Sequence, residues 1–144
     1  MPPELRQREF LTLVAQLLPQ HLPEPLRAFN GRVEGGMMLK VFYHSPRIHY
    51  EVHPLRKTGR IEIGLHFEAE RETSYRLLAR FAECFVEVQA ALGPSVEPEE
   101  WTNSWTRLHE TWPLTRLDDA LAQKVAARLG QMISVLQPML ECAR

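Results

Sequence analysis

The chain predicts an α+β fold: an antiparallel β-meander of three to four strands with helices packed on one face, in the order α-β-β-β-α-β-α. Three observations carry this. Apolar residues recur at helical spacing near both ends. Between residues 37 and 68 they switch to strict alternation, the pattern of strands with one buried face. The alternating segments are joined by turns too short for the crossovers that parallel strands need.

The first helix is expected from about Glu4 to Leu18, with Phe10, Leu13, Val14, Leu17 and Leu18 on one face. Pro19, Pro23 and Pro25 end it, because proline offers no N–H to a continuing helix. Residues 19–36 read as an irregular connection closing on Asn30-Gly31 and Gly35-Gly36, both turn signals. Met37, Leu39, Val41 and Tyr43 then alternate with polar or larger neighbours. After Ser45-Pro46, Ile48, Tyr50 and Val52 do the same, and beyond a turn over Leu55–Gly59 so do Ile61, Ile63, Leu65 and Phe67. Aligning the apolar faces sets Val52 opposite Ile63 and His49 opposite His66; a slip of one residue would expose the apolar set.

A helix is expected from about Ser74 to Leu92, capped by Thr73 or Ser74 and stopped by Gly93-Pro94. Pro98-Glu99-Glu100-Trp101 resembles a first helical turn, and residues 105–112 a fourth strand. The last helix runs from near Thr115 to about Cys142, with Pro138 expected to kink or end it.

Length and composition set the function classes. The chain has 144 residues, with 17 Lys+Arg against 18 Asp+Glu and a formal net charge of −1. One domain over residues 1–144 is expected, large enough to fold without disulfides or a structural metal. Disordered, coiled-coil, collagenous and disulfide-scaffold classes are excluded, as is a polycation that binds nucleic acid by net charge. Cys84 and Cys142 fall on apolar helix stripes and suggest free thiols. With no basic-then-apolar leader at the start and no membrane-length apolar run, a cytoplasmic protein without membrane contact is expected.

The polar side of the meander gathers most of the reactive side chains. His49, His53 and His66 share it with Glu51, Glu62 and Glu68; a fourth strand in register would add Trp105, Arg107 and His109. Imidazoles and carboxylates ligate zinc and similar ions and serve as general acids and bases. A metal set of His49, His53, His66, Glu51 and Glu62 can therefore be drawn, although no His-Glu-x-x-His or Cys-x-x-Cys supports it. The rival reading is an open, solvated face with cross-strand pairs such as Arg47 with Glu68.

Charge is unevenly spread. Residues 67–119 hold eleven acids against five arginines, whereas residues 40–66 are net basic. Arg56, Lys57 and Arg60 at a hairpin tip, with Arg47, form a candidate nucleic-acid contact, with Phe42 and Trp105 as stacking platforms. A solvated tip that protects edge strands explains the same charges. Trp101, Trp105 and Trp112 are candidate interface residues, with core packing of at least two as the rival. Met132 and Met139 fit either core or a dimer seam. No serine has a nucleophile-elbow setting, and Gly35-Gly36 lacks the lysine of a phosphate loop.

Residues 49–68, the helix ending Ala91-Leu92-Gly93, the tryptophan-bearing strand and the closing Leu136-Gln137-Pro138 resemble bacterial domains of unknown function sometimes fused to restriction or nuclease-like modules. The resemblance spans about residues 45–140. It implies an accessory or binding role and no catalytic residues. The leading expectation is a non-catalytic binding or protein-interaction module, homo-oligomeric or with a protein partner, and without a cofactor. The alternatives are a metal-dependent hydrolase using the His/Glu cluster and a nucleic-acid-binding accessory protein using the basic hairpin.

Overall fold

In a computed structural model describing residues 2–143, six antiparallel strands form one sheet and four α-helices accompany it. The helices are α1 (Gln7–Leu17), α2 (Arg71–Glu83), α3 (Phe85–Leu92) and α4 (Asp119–Ala143). The strands are β1 (Asn30–Glu34), β2 (Met38–Phe42), β3 (Ile48–Leu55), β4 (Arg60–Phe67), β5 (Glu97–Glu100) and β6 (Thr106–Pro113), in the spatial order β1-β2-β3-β4-β6-β5. The α+β class and the antiparallel sheet agree with the sequence pattern; the strand count and element order do not.

Both extra strands lie at the sheet edges. β1 carries a single apolar branched residue, Val33, so alternation does not reveal it; Gly35 and Gly36, both at positive φ, turn it directly into β2. β5 occupies the stretch expected to start a helix. An edge strand accommodates Pro98, which has no N–H to donate. The central register is the one apolar matching requires: Val52 faces Ile63 and His49 faces His66.

The core fills the helix side. Tyr50, Val52, Ile61, Ile63, Leu65, Phe67 and Leu108 are buried there with Phe10 and Val14 of α1, Phe81 of α2 and the Val125-to-Leu140 stripe of α4. Met132 belongs to this core rather than to a dimer seam.

α1 starts at Gln7 and α4 at Asp119, each a few residues later than the pattern predicts, and three further departures affect the helices. α2 begins at Arg71, three residues early, so Ser74 is buried and accepts a hydrogen bond from the Ala69 N–H instead of capping. The single helix expected to Leu92 is broken at Cys84, where no Gly or Pro marks the break. α4, capped by Asp118, continues through Pro138 to Ala143. Pro138 faces solvent while Leu136, Leu140 and Ala143 are buried around it, and this packing carries the helix past the lost hydrogen bond. Cys84 is half-buried, Cys142 is exposed rather than on the apolar stripe, and both are free thiols. Among the described residues no helix is long and apolar enough to cross a membrane.

Candidate metal centre on the polar sheet face

Strand alternation sends His49, Glu51 and His53 of β3, Glu62 and His66 of β4, and Arg107 and His109 of β6 to the face opposite the helices. Gly64 allows the close approach of β4 and β6: a Cβ there would lie 2.5 Å from the Leu108 carbonyl oxygen and 2.9 Å from the His109 Cα.

The alternation predicts an open, solvated face, but its centre is closed. His49 and His66 are both 0% exposed, and Glu51 and Glu62 are buried. Trp101, just past the end of β5, meets His66 in a T-shaped contact with centroids 5.2 Å apart. Arg107 stacks on Trp101 at 4.3 Å and bonds Glu99 and Glu62. The tip between β5 and β6 is tied to α2 by Tyr75, whose hydroxyl donates to the Thr102 carbonyl, and by Arg71, which donates to the Asn103 carbonyl. A pinned hairpin therefore covers the histidines.

Four ligand-type atoms converge beneath it. The Nε2 of His49 lies 2.9 Å from Glu51 Oε1 and 3.7 Å from Glu68 Oε2; Nδ1 of His66 lies 3.0 Å from Glu68 Oε2 and 3.8 Å from Glu51 Oε1. Nitrogen and oxygen alternate around this ring, and all four atoms lie within 4.8 Å of one another. An ion held at about 2.0–2.2 Å by four such donors sets neighbouring ligand atoms about 3.3–3.6 Å apart. The observed edges bracket that spacing.

The outward nitrogens are also engaged. His49 Nδ1 donates to the Pro46 carbonyl at 2.8 Å, and His66 Nε2 lies 2.6 Å from Glu62 Oε1. Such outer contacts fix the tautomer and orientation of metal-ligating histidines. Glu62 is steadied by Arg107 at 3.1 Å, and its second oxygen is buried with no hydrogen-bond partner.

Proton counting shows what the metal-free cluster needs. Each of the four imidazole nitrogens faces an oxygen, so two neutral rings supply protons to only two of the four contacts, and an imidazolium or a protonated carboxyl must supply the rest. Burial opposes charge on His66, but its hydrogen bonds to Glu62 and Glu68 and the negative charges of Glu62 and Glu51 outweigh it and push the imidazole up to about 9. For Glu51, burial is likewise outweighed by hydrogen bonds from His49 and His53 and by the nearby His66 and His49 charges, so its carboxyl sits well below the usual range. Protonating both rings would stack two buried cations, with centroids 5.4 Å apart. His109 is shifted down, by burial and then by the Arg107 charge.

Of the metal set drawn from sequence, His49, Glu51 and His66 contribute to the ring. Glu62 is displaced outward to hold His66. His53 stands beside the ring, its Nδ1 3.6 Å from Glu51 Oε2. Glu68 takes the remaining place. Its backbone pairs with Arg47 as the strand pattern suggests, but its carboxylate turns to His66 and His49 rather than to the Arg47 side chain. The signal for Glu68 was its shared parity with Glu62 and His66 just beyond the strand end.

The other candidates do not assemble. Arg60 is bound to Thr111, Arg56 approaches Glu4, and Arg47 lies at the opposite end of β3, about 25 Å from the tip at strand rise. Only Lys57 joins Arg56 as an exposed cation of the tip, and Phe42 is buried under Arg32 rather than presented for stacking. Of the tryptophans, only Trp112 packs on the helix side; Trp101 and Trp105 stay on the polar face, 39% and 38% exposed. No family model, curated protein or solved structure matches the chain.

Proposed function

We propose that this chain is a divalent-metal-binding protein, with the ion held by His49 Nε2, Glu51, His66 Nδ1 and Glu68. The proton balance carries the reading. With an ion on those two nitrogens, only two imidazole contacts still need protons: His49 Nδ1–H to Pro46 and His66 Nε2–H to Glu62. Two neutral rings supply them. The ion and Arg107 also offset the charges of Glu51, Glu62 and Glu68, with Arg107 shared between Glu62 and Glu99.

Two imidazoles and two carboxylates suit zinc and its first-row neighbours. A chain with a complete apolar core on the other side of the sheet has no need of an ion to fold. Burying this many ionisable groups is costly, and such clusters concentrate at functional sites. The reading is tested by titrating zinc into chelated, untagged protein in a calorimeter. One ion per chain is expected, with binding lost in His49→Ala and His66→Ala variants that keep their circular dichroism. Absence of uptake by the folded wild type overturns it.

A further inference from the structure

A cavity of about 350 Å³ opens between the β2–β3 connection, α2 and α4. It shares no residue with the His49–Glu51–His66–Glu68 ring, so what it binds is independent of the metal reading. Its volume is that of a small-molecule site. Helical spacing builds its walls. Thr73, Arg76 and Leu77 stand at i, i+3 and i+4 on α2 and share one stripe, and all three line the cavity. Gln137 and Leu140 repeat the three-residue step on α4.

The inner surface is apolar and uncharged. Phe42, Ile48, Leu77 and Leu140 supply hydrocarbon. The polar groups at this depth are the Tyr50 hydroxyl and the Gln137 amide, on residues only 1% and 3% exposed, and the hydroxyl donates to Gln137 Oε1 at 3.0 Å. A neutral pair already bonded to itself does not replace the water that an ionised group would lose there. The inner end of an occupant is therefore apolar.

Charge enters only at the rim. Arg76 is exposed there, and no Asp or Glu lines the cavity. Its Nη1 donates to the Ala143 carbonyl at 3.2 Å, which tethers the guanidinium to the end of α4. Among the described residues its Nε and Nη2 have no partner, and neither has the Thr73 hydroxyl on the same stripe. His44, also at the rim, is engaged by Glu141 at 2.9 Å; Glu141 accepts from Gln137 as well and does not itself line the cavity. A guanidinium edge with two N–H groups matches the two oxygens of a carboxylate. A phosphate monoester carries about −1.5 to −2 charges, more than one such cation balances.

We propose that this cavity binds a small monocarboxylic acid with an apolar body. The carboxylate sits at the rim on the free edge of Arg76 and the Thr73 hydroxyl, and the body lies inward against Phe42, Ile48, Leu77 and Leu140. The site binds and makes or breaks no bond. Its selectivity comes from pairing one cation at the mouth with an uncharged interior, so an occupant needs both a head and a body.

The test is calorimetric titration of the full chain with octanoate and with 3-phenylpropionate, and in parallel with octanol, acetate and octyl phosphate. One saturable site per chain is expected for at least one of the two acids. Octanol lacks the head and acetate the body, and each should bind at least about tenfold more weakly. Arg76→Gln changes an exposed position, so it should keep the circular dichroism spectrum, weaken the acids about tenfold and leave octanol unchanged. Thr73→Val should weaken the acids a few-fold. Uptake of neither acid overturns the site. Octanol or acetate binding as tightly as the acids overturns the pairing of head and body, and unchanged affinity in Arg76→Gln overturns the placement of the carboxylate. Tighter binding of octyl phosphate overturns the ligand class.

Discussion

Two polar clusters sit on opposite faces of the same sheet and resolve burial differently. On the helix side, Glu110 of β6 is held by Arg128 Nη2 and Nε at 2.7 and 2.8 Å and by Trp112 Nε1 at 2.8 Å, while Arg128 also donates to the Leu92 carbonyl. One anion meets one cation and its oxygens are satisfied. Across the sheet, carboxylates outnumber the cations that can serve them, and both ring nitrogens of His49 and of His66 face acceptors. The first cluster needs nothing more. On the metal-binding proposal the second is completed by a divalent ion, and the contrast then separates a cluster that ties α4 to the sheet from one that binds.

The comparison breaks most sharply under His66→Ala. Zinc uptake should fall from one ion per chain to none by elemental analysis, while the Glu110–Arg128 cluster still holds α4. Arg128→Met should do the reverse. It leaves Glu110 buried without its cation and should cost about 3–5 kcal/mol in urea unfolding of the metal-free protein, with zinc stoichiometry unchanged. Zinc loss in Arg128→Met would show that the two faces are not independent.

Smaller changes sharpen the contrast. Glu62→Gln keeps an acceptor for His66 Nε2–H but removes the charge, and should weaken zinc affinity about 10–100-fold by competition titration with a chelator. Affinity should also follow pH. In the metal-free protein His66 holds its proton up to about 9. Zinc displaces that proton, so binding should strengthen by about tenfold per pH unit from 6.5 towards 9 and then level. A flat profile would contradict the assignment of His66 as a donor.

Much of the candidate site was legible because it depends on period 2. Alternation in β3 and β4, with burial of Val52 and Ile63, placed His49 against His66 and put Glu51, Glu62 and His53 on the same side. What was not legible arises from long-range return of the chain. The β5–β6 hairpin brings Trp101 and Arg107 over the histidines, and nothing local in Pro98-Glu99-Glu100 marks a strand, since its pairing partner supplies the order. The difference between Glu62 and Glu68 was equally hidden: both share the parity of His66, and only the side-chain directions put one in the ring and the other behind it.

The most direct test is a crystal of the zinc-loaded protein examined by anomalous diffraction at the zinc edge. The account predicts one strong peak between His49 Nε2 and His66 Nδ1, with a carboxylate oxygen of Glu51 and of Glu68 in its coordination shell. A zinc-loaded crystal whose anomalous peaks all lie elsewhere, with His49 and His66 still hydrogen-bonded to Glu51 and Glu68, would contradict it.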